Sequence, residues 1–328
     1  MRRLIGIVIS GLAVSGLLSA QTLNVQVGDV TYQFPAAEAG EMSYSNGSTL
    51  TVMGKAFTLA DISRMYVDET EVTDSKVSVV YDGSSARIAV AGNVAKFLTV
   101  TQSGAHVSIA QSDDLAEEVT YTLSGSTSDG EFYTSGAFKA TVEFNGLNLT
   151  NVTPVYSGAA VHVQNSKRIN IKVITGTTNT LRDAATGSQK GALYVKGHIE
   201  FKQYGTLKVY GNLKHGIKAG EYIQVKNATI NVLAAKNDGI NCSQYFLMES
   251  GTINISGVGD DGIQCDVDVA STGQTTDHED EDSGNIYIEG GTINITVTAS
   301  KAKKLKAEGE VYITGGTVNA AERTHRNP

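Results

Sequence analysis

One feature constrains this chain more than any other: it repeats itself. His215-Gly216-Ile217-Lys218-Ala219 aligns with Asp238-Gly239-Ile240-Asn241-Cys242, and that with Asp261-Gly262-Ile263-Gln264-Cys265. Gly216 to Gly239 is 23 residues, and Gly239 to Gly262 is again 23. A second motif recurs in the same register as Thr229-Ile230-Asn231, Thr252-Ile253-Asn254, Thr292-Ile293-Asn294 and Thr317-Val318-Asn319. A third lies between them: Ile223-Gln224-Val225, Phe246-Leu247-Met248, Ile286-Tyr287-Ile288 and Val311-Tyr312-Ile313. Self-similarity at a fixed period means one structural unit used again and again.

Each motif alternates apolar and polar residues, the mark of a half-buried strand. Gly, Asn, Asp and Ser separate the motifs and supply the turns. One unit cannot bury its own inward face. Stacked units can, with equivalent residues ~4.8 Å apart along a parallel ladder. The pattern predicts an all-β fold: a right-handed, single-stranded parallel β-helix, three-sided, with 23-residue coils. An irregular β-sandwich does not require three in-phase motifs at one period.

The domain reading follows. Residues 1–20 read as a signal peptide, with Arg2 and Arg3 before a short apolar run and Ser19-Ala20 before the cut. The expected destination is secreted, periplasmic or cell-surface, with no membrane insertion. Residues 21–72 read as a small β-rich module, in which residues 57–67 contain a helical turn. Residues 91–96 read as a turn, and residues 73–320 as the β-helix, its first full coil at residues 138–149. Residues 321–328 are a short tail. Two stretches lengthen coils: residues 182–190, and about 269–284, which carries the acidic run 277–282, read as a solvated loop. The net charge of −8 argues against nucleic acid and anionic membranes, and suits cations.

Several stretches in order resemble a known family. They are Leu123-Ser-Gly-Ser-Thr-Ser-Asp-Gly130, Phe144-Asn-Gly-Leu-Asn-Leu-Thr-Asn151, Gly176-Thr-Thr-Asn-Thr-Leu181, His215-Gly-Ile217, Asp238-Gly-Ile240 and Gly290-Gly-Thr-Ile-Asn294. Together they resemble secreted bacterial carbohydrate-binding proteins. The resemblance spans roughly residues 75–320. It implies a calcium-containing right-handed parallel β-helix of pectate-lyase-like shape, associated with cellulose and acidic pectin-type glycans and not established as catalytic. Lys303-Lys304-Leu305-Lys306 departs from that family's pattern, which keeps Gly before the aliphatic residue.

The repeat assigns the candidate site residues. One outward column reads His162, Tyr194, Lys218, Asn241, Gln264, Lys306. A second reads Glu200, Gln224, Leu247, Tyr287, Tyr312, flanked by Tyr222 and Tyr245. A third reads Lys208, Asn231, Asn254, Asn294, Asn319, where stacked amides support one another. Tyr rings suit the apolar face of a sugar, and amides and Lys suit hydroxyls or uronate carboxylates. Tyr194, Lys218, Asn241, Gln264, Tyr287 and Tyr312 are therefore the candidate carbohydrate-binding residues. Asn237 and Asp238 share a corner with Asp260 and Asp261, and Asp266 and Asp268 follow one strand later. Calcium takes six to eight oxygens, which such turns supply; turn chemistry alone also favours Asp and Asn there. Cys242 and Cys265 occupy equivalent inward positions, open to a disulfide or to a buried pair of thiols. Lys218 and His215 are the only well-placed bases for a lyase. The expected function is an exported, non-catalytic, calcium-stabilised polysaccharide-binding protein for cellulose- or pectin-type glycans. A pectate-type lyase and a structural surface adhesin are the alternatives.

Overall fold

The computed structural model describes residues 21–40, 42–267 and 282–320. Among them every regular element is a strand except one helical turn, Gly92–Ala95. The expected signal peptide and tail, most of the acidic run 277–282, and Asp268 lie outside the described residues. No helix of the described residues is long and apolar enough to cross a membrane.

The chain opens with antiparallel pairs. Thr22–Val27 lies between Val30–Pro35 and Ile62–Asp68, antiparallel to both. Ser43–Ser45, Thr49–Val52 and Lys55–Thr58 form a small separate sheet. Val30–Pro35 then runs parallel to Ser85–Ala91. Val25, Phe34 and Phe57 share one continuous core with Val79, Val119 and the repeats beyond.

Two local expectations are corrected here. Residues 57–67 contain no helical turn: the strands Lys55–Thr58 and Ile62–Asp68 flank a tight turn in which Asp61 N–H donates to the Thr58 carbonyl. Ladder pairing of Ile62–Asp68 with Thr22–Val27 takes the backbone groups a helix would have used. Residues 91–96, read as a plain turn, hold the helical turn Gly92–Ala95, whose Val94 and Ala95 are buried.

Parallel stacking begins earlier than residue 138. Val119–Thr127 pairs parallel with Lys76–Asp82 on one edge and Ala140–Thr150 on the other. From there three parallel ladders advance together, each strand pairing with the equivalent strand one repeat later. The first ladder runs Glu131–Ser135, Val161–Val163, Gly191–Val195, His215–Ala219, Ile240–Ser243, Ile263–Asp266, Leu305–Ala307. The second runs Ile169–Val173, Ile199–Lys202, Ile223–Val225, Tyr245–Met248, Asn285–Ile288, Val311–Ile313. The third runs Thr178–Arg182, Thr206–Gly211, Thr229–Ala235, Thr252–Val258, Thr292–Val297, Thr317–Ala320.

Register makes the core a set of aliphatic columns. Leu193, Ile217, Ile240, Ile263 and Leu305 are successive partners, as are Ile230, Ile253, Ile293 and Val318. All but the final members are inaccessible to solvent. Each fully buried aliphatic contributes roughly 1.5–3 kcal/mol, so repetition of one modest unit builds the stability. The Gly shared by three successive strands of the first ladder has a packing cause. A Cβ on Gly216, Gly239 or Gly262 would lie 2.8, 2.7 and 2.6 Å from Val232, Ile255 and Ile295, the aliphatics of the third ladder. Cys242 and Cys265 are register partners in the first ladder, buried and unbonded.

Candidate functional site

The first ladder carries the densest polar chemistry, and it starts at a corner. Backbone N–H groups there bond across repeats: Gly216 N–H donates to the Asp238 carbonyl, and Gly239 N–H to that of Asp261. The side chains repeat the connection. Asp238 Oδ1 accepts Asp261 N–H at 3.2 Å, and Asp261 Oδ1 accepts Lys303 N–H at 2.7 Å. One oxygen of each carboxylate thus ties its repeat to the next.

The other oxygens face charge. Asp238 Oδ2 lies 3.2 Å from His215 Nδ1 and accepts the Asn241 amide at 2.8 Å. Asp261 Oδ2 meets Lys306 Nζ at 2.9 Å. Asp260 completes the group: one carboxylate oxygen from each of Asp238, Asp260 and Asp261 falls within 4.8 Å of the others. Asp238 and Asp261 are buried, while Asp260 is exposed. Burial alone would raise the Asp238 carboxyl, but the hydrogen bond and charge of His215 outweigh it and hold it below the usual range. Asp260 is raised, by desolvation and then by the charges of Asp261 and Asp238. Lys306 is raised by its bond to Asp261.

The remaining predicted ligands divide. Asn237 stands at the same corner, and its carbonyl accepts Asp260 N–H at 3.2 Å. Asp266 is outside the carboxylate group; it accepts the Gln264 amide and lies 3.5 Å from the Asn241 amide.

The outward column of the first ladder has the expected register: His162, Tyr194, Lys218, Asn241, Gln264 and Lys306 are successive partners. Lys218 Nζ donates to Asn241 Oδ1 at 2.5 Å, which links Lys218 through Asn241 to Asp238. Burial lowers the Lys218 ammonium from its ordinary value. Lys306 Nζ also reaches Gln264 Oε1 at 3.3 Å. Tyr194 and Asn241, expected to face outward and free, are 8% and 4% exposed. Rungs this close cover one another: the His162 ring sits 4.6 Å from Tyr194, and Asn241 is enclosed by Lys218 and Asp238. The column also extends one rung further back than sequence reading placed it. Tyr133 is the register partner of His162. The alternation Phe132-Tyr133-Thr134 against Val161-His162-Val163 carried that signal.

Tyr287 and Tyr312 lie on the second ladder, apart from the other four candidates. Their rings stack at 5.3 Å and 10°, as do Tyr222 and Tyr245 at 4.6 Å and 13°. Stacked rings occupy one another's faces. Tyr312 is 42% exposed, and its hydroxyl donates to Glu310 at 2.7 Å. The third ladder's Asn231, Asn254, Asn294 and Asn319 bond to one another through their side-chain amides.

No curated protein matches the chain. Among solved structures, a gadolinium derivative of the polysaccharide lyase-like protein from C. thermocellum is similar in fold, with a TM-score of 0.55 and 22% identity. The alignment covers 74% of this chain and 99% of that one. A family described as carbohydrate-binding domain-containing protein matches residues 103–327, which hold all three ladders. That match spans more than half of the chain, and the chain belongs to this family of carbohydrate-binding domain-containing proteins.

Proposed function

We propose that the protein is an exported, non-catalytic polysaccharide-binding protein whose ladders close into a right-handed parallel β-helix. The observation that carries this reading is the in-register column of Lys218, Gln264 and Lys306, with Asn241 enclosed between the first two, beside the Asp238, Asp260 and Asp261 carboxylates. Evenly spaced amides and ammonium groups match the repeating hydroxyls and carboxylates of an extended glycan. Cellulose- and pectin-type chains are the ligands to test first.

Calcium suits the corner. Its three carboxylates and turn carbonyls are the hard oxygens that ion takes, and the Asp261 and Asp238 charges add to desolvation in raising Asp260, a repulsion that a cation relieves. Asp238, Asp260 and Asp261 would hold it, with Asn237 at their edge. There it would neutralise the corner and attract glycan carboxylates. His215 and Lys306 offset part of that charge without it.

Pull-down on cellulose and on polygalacturonate, with and without a chelator, tests the reading. Binding to at least one is expected, with the acidic glycan lost in chelator. Retention on neither removes the proposal and leaves a structural adhesin.

One observation favours a lyase as the second reading. Lys218, its ammonium lowered by burial, lies one hydrogen-bonded residue from the acidic corner. A neutral amine there would take the proton α to a uronate carboxylate as the glycosidic oxygen leaves. Ultraviolet absorbance of unsaturated products from polygalacturonate decides it, and Lys218→Ala should abolish any that forms.

A further inference from the structure

The outward column of the first ladder changes character halfway. Its later half, from Lys218 on, is polar. Its earlier half is aromatic, and a loop carries it further than the ladder does. Tyr194 contacts His162 edge to face at 4.6 Å, and His162 contacts Tyr133 the same way at 4.7 Å. Tyr133 then meets Tyr156 at 6.1 Å, with ring planes 36° apart. Four rings therefore form one row: Tyr156, Tyr133, His162, Tyr194.

Tyr156 belongs to no strand, so its placement needs a cause. Glu131, 1% exposed, supplies it. Its carboxylate accepts N–H bonds from Val155 at 2.9 Å and Ser157 at 2.8 Å, and the Asn151 amide at 3.0 Å. Asp129 accepts those of Val152 and Thr153, both at 2.9 Å. Burial would raise the Glu131 carboxyl, but these backbone donors outweigh it and keep it low. Two carboxylates thus fix a loop of irregular backbone, and the Tyr156 hydroxyl anchors its tip on the Thr101 carbonyl at 3.2 Å. The loop turns Val152 and Val155 to solvent, at 61% and 46% exposed. Exposed apolar side chains on so firmly held a loop are unusual for a segment whose only task is to connect strands.

The row has a polar floor. His162 is buried, its Nε2 lies 2.8 Å from Gln164 Oε1, and its Nδ1 has no hydrogen-bond partner. Buried polar atoms are rarely left so, and a bound water is the ordinary partner. Tyr133 and Tyr156 are half-buried, so both offer surface to a ligand. Each stacked tyrosine of the second ladder instead gives one face to a neighbouring ring.

We infer that Tyr156 and Tyr133, backed by the buried rings of His162 and Tyr194, form a calcium-independent subsite that takes uncharged pyranose rings by their C–H faces. C–H faces carry slight positive charge and suit ring π-systems. Glu131, whose charge adds to burial in raising the Tyr156 hydroxyl, disfavours an anionic sugar at the Tyr156 end, while Lys190 stands 5.8 Å from the Tyr194 ring at the other. The row leads directly into Lys218 and Asn241, so one extended chain can lie across both halves. The inference rests on the polysaccharide-binding reading and adds the location and the class of sugar.

The test is isothermal titration of the full chain with cellohexaose and with oligogalacturonate, each with and without chelator. Wild type should bind cellohexaose equally in both conditions. Tyr133→Ala and Tyr156→Ala should each weaken cellohexaose binding by about three- to tenfold and leave oligogalacturonate binding unchanged. Tyr156→Phe keeps the ring and should retain affinity. Circular dichroism melts show whether each variant is folded, and Tyr156→Phe stands in for any that is not. Cellohexaose affinity unchanged in both alanine variants, or weakened equally for both sugars, overturns the subsite. Wild type that binds only oligogalacturonate also overturns it, while the general reading survives. Wild type that binds neither sugar removes both.

Discussion

The side-chain amide of Asn254 donates to that of Asn231 at 2.7 Å, and Asn294 donates to Asn254 at the same distance. Every bond in this column points the same way along the stack, and Asn319 continues it at 2.8 Å. Asn254→Ala breaks two such bonds and leaves a half-buried donor and acceptor for water to satisfy. It should cost about 1–2 kcal/mol. Asn319→Ala breaks one bond at an exposed rung and should cost about half as much. Urea denaturation of both variants checks the order, and equal losses would mean that the amide column does not support the stack.

Gly239 tests why the repeat keeps its glycine. A Cβ there would stand 2.7 Å from Ile255 Cγ2 and 2.8 Å from the Gly262 carbonyl oxygen. Neither neighbour has room to retreat in a close-packed column. Gly239→Ala should destabilise by about 1–3 kcal/mol, as overpacking does. Ile255→Ala removes Cγ2, so Gly239→Ala combined with Ile255→Ala should cost less in a thermal melt than the sum of the two single losses.

Cys242 and Cys265 face each other as thiols with no exposed surface. Burial and the neighbouring Cys242 push the Cys265 thiol far above its ordinary value, so almost no thiolate is available to react. Ellman's reagent should find essentially no thiol in the native protein and two per chain in denaturant. Prompt native reaction would show that the core opens on the timescale of the assay.

These columns explain how much of the molecule was legible in its sequence. The 23-residue spacing assigns Ile217, Ile240 and Ile263 to one column, and the recurring Thr-Ile-Asn motif assigns Asn231, Asn254 and Asn294 to another. Parallel pairing at constant period converts sequence distance directly into height. Spacing says nothing of how far a rung is covered by its neighbours, so Tyr194 and Asn241 were placed correctly in register and wrongly in exposure. Nor does it reach segments that do not repeat. The Glu131-bound loop with Tyr156, the helical turn Gly92–Ala95, and the strand pairing that replaces a helical turn near residue 61 all depend on contacts unique to one place in the chain. The acidic corner fell between these cases: Asp238 and Asp261 followed from the repeat, but their partners His215 and Lys306 required coordinates.

The corner's dependence on a cation can be measured through stability. A cation that binds the folded chain alone raises the melting temperature by mass action. Wild type should melt higher in calcium than in chelator. Asp238→Ala combined with Asp261→Ala should lower the melting temperature in calcium and lose all response to the ion. Any loss these variants show in chelator measures the structural oxygens that receive Asp261 and Lys303 N–H. A variant that responds to calcium as fully as wild type would place the ion elsewhere or nowhere.

Asp183 gives the fold a pH dependence of unusual sign. It is buried, and desolvation raises its carboxyl to about 6 despite hydrogen bonds from Asn212 N–H and the Gln189 amide. Its folded value thus lies above its unfolded one, ordinarily near ~3.9. The folded state therefore holds the proton more tightly, and stability falls as pH rises from the unfolded value through about 6. The span corresponds to a change on the order of 2–3 kcal/mol. Glu131 and Asp238 act oppositely: their folded values are lowered, so their contribution is lost only as pH falls below the ordinary carboxylate range. The two effects occupy different windows, which lets one residue be isolated. Denaturation free energies measured from pH 4 to 7 should decline for wild type across the Asp183 window. Asp183→Asn removes the titration and should flatten that decline whatever its effect on absolute stability. An unchanged slope in the variant would assign the dependence to another group.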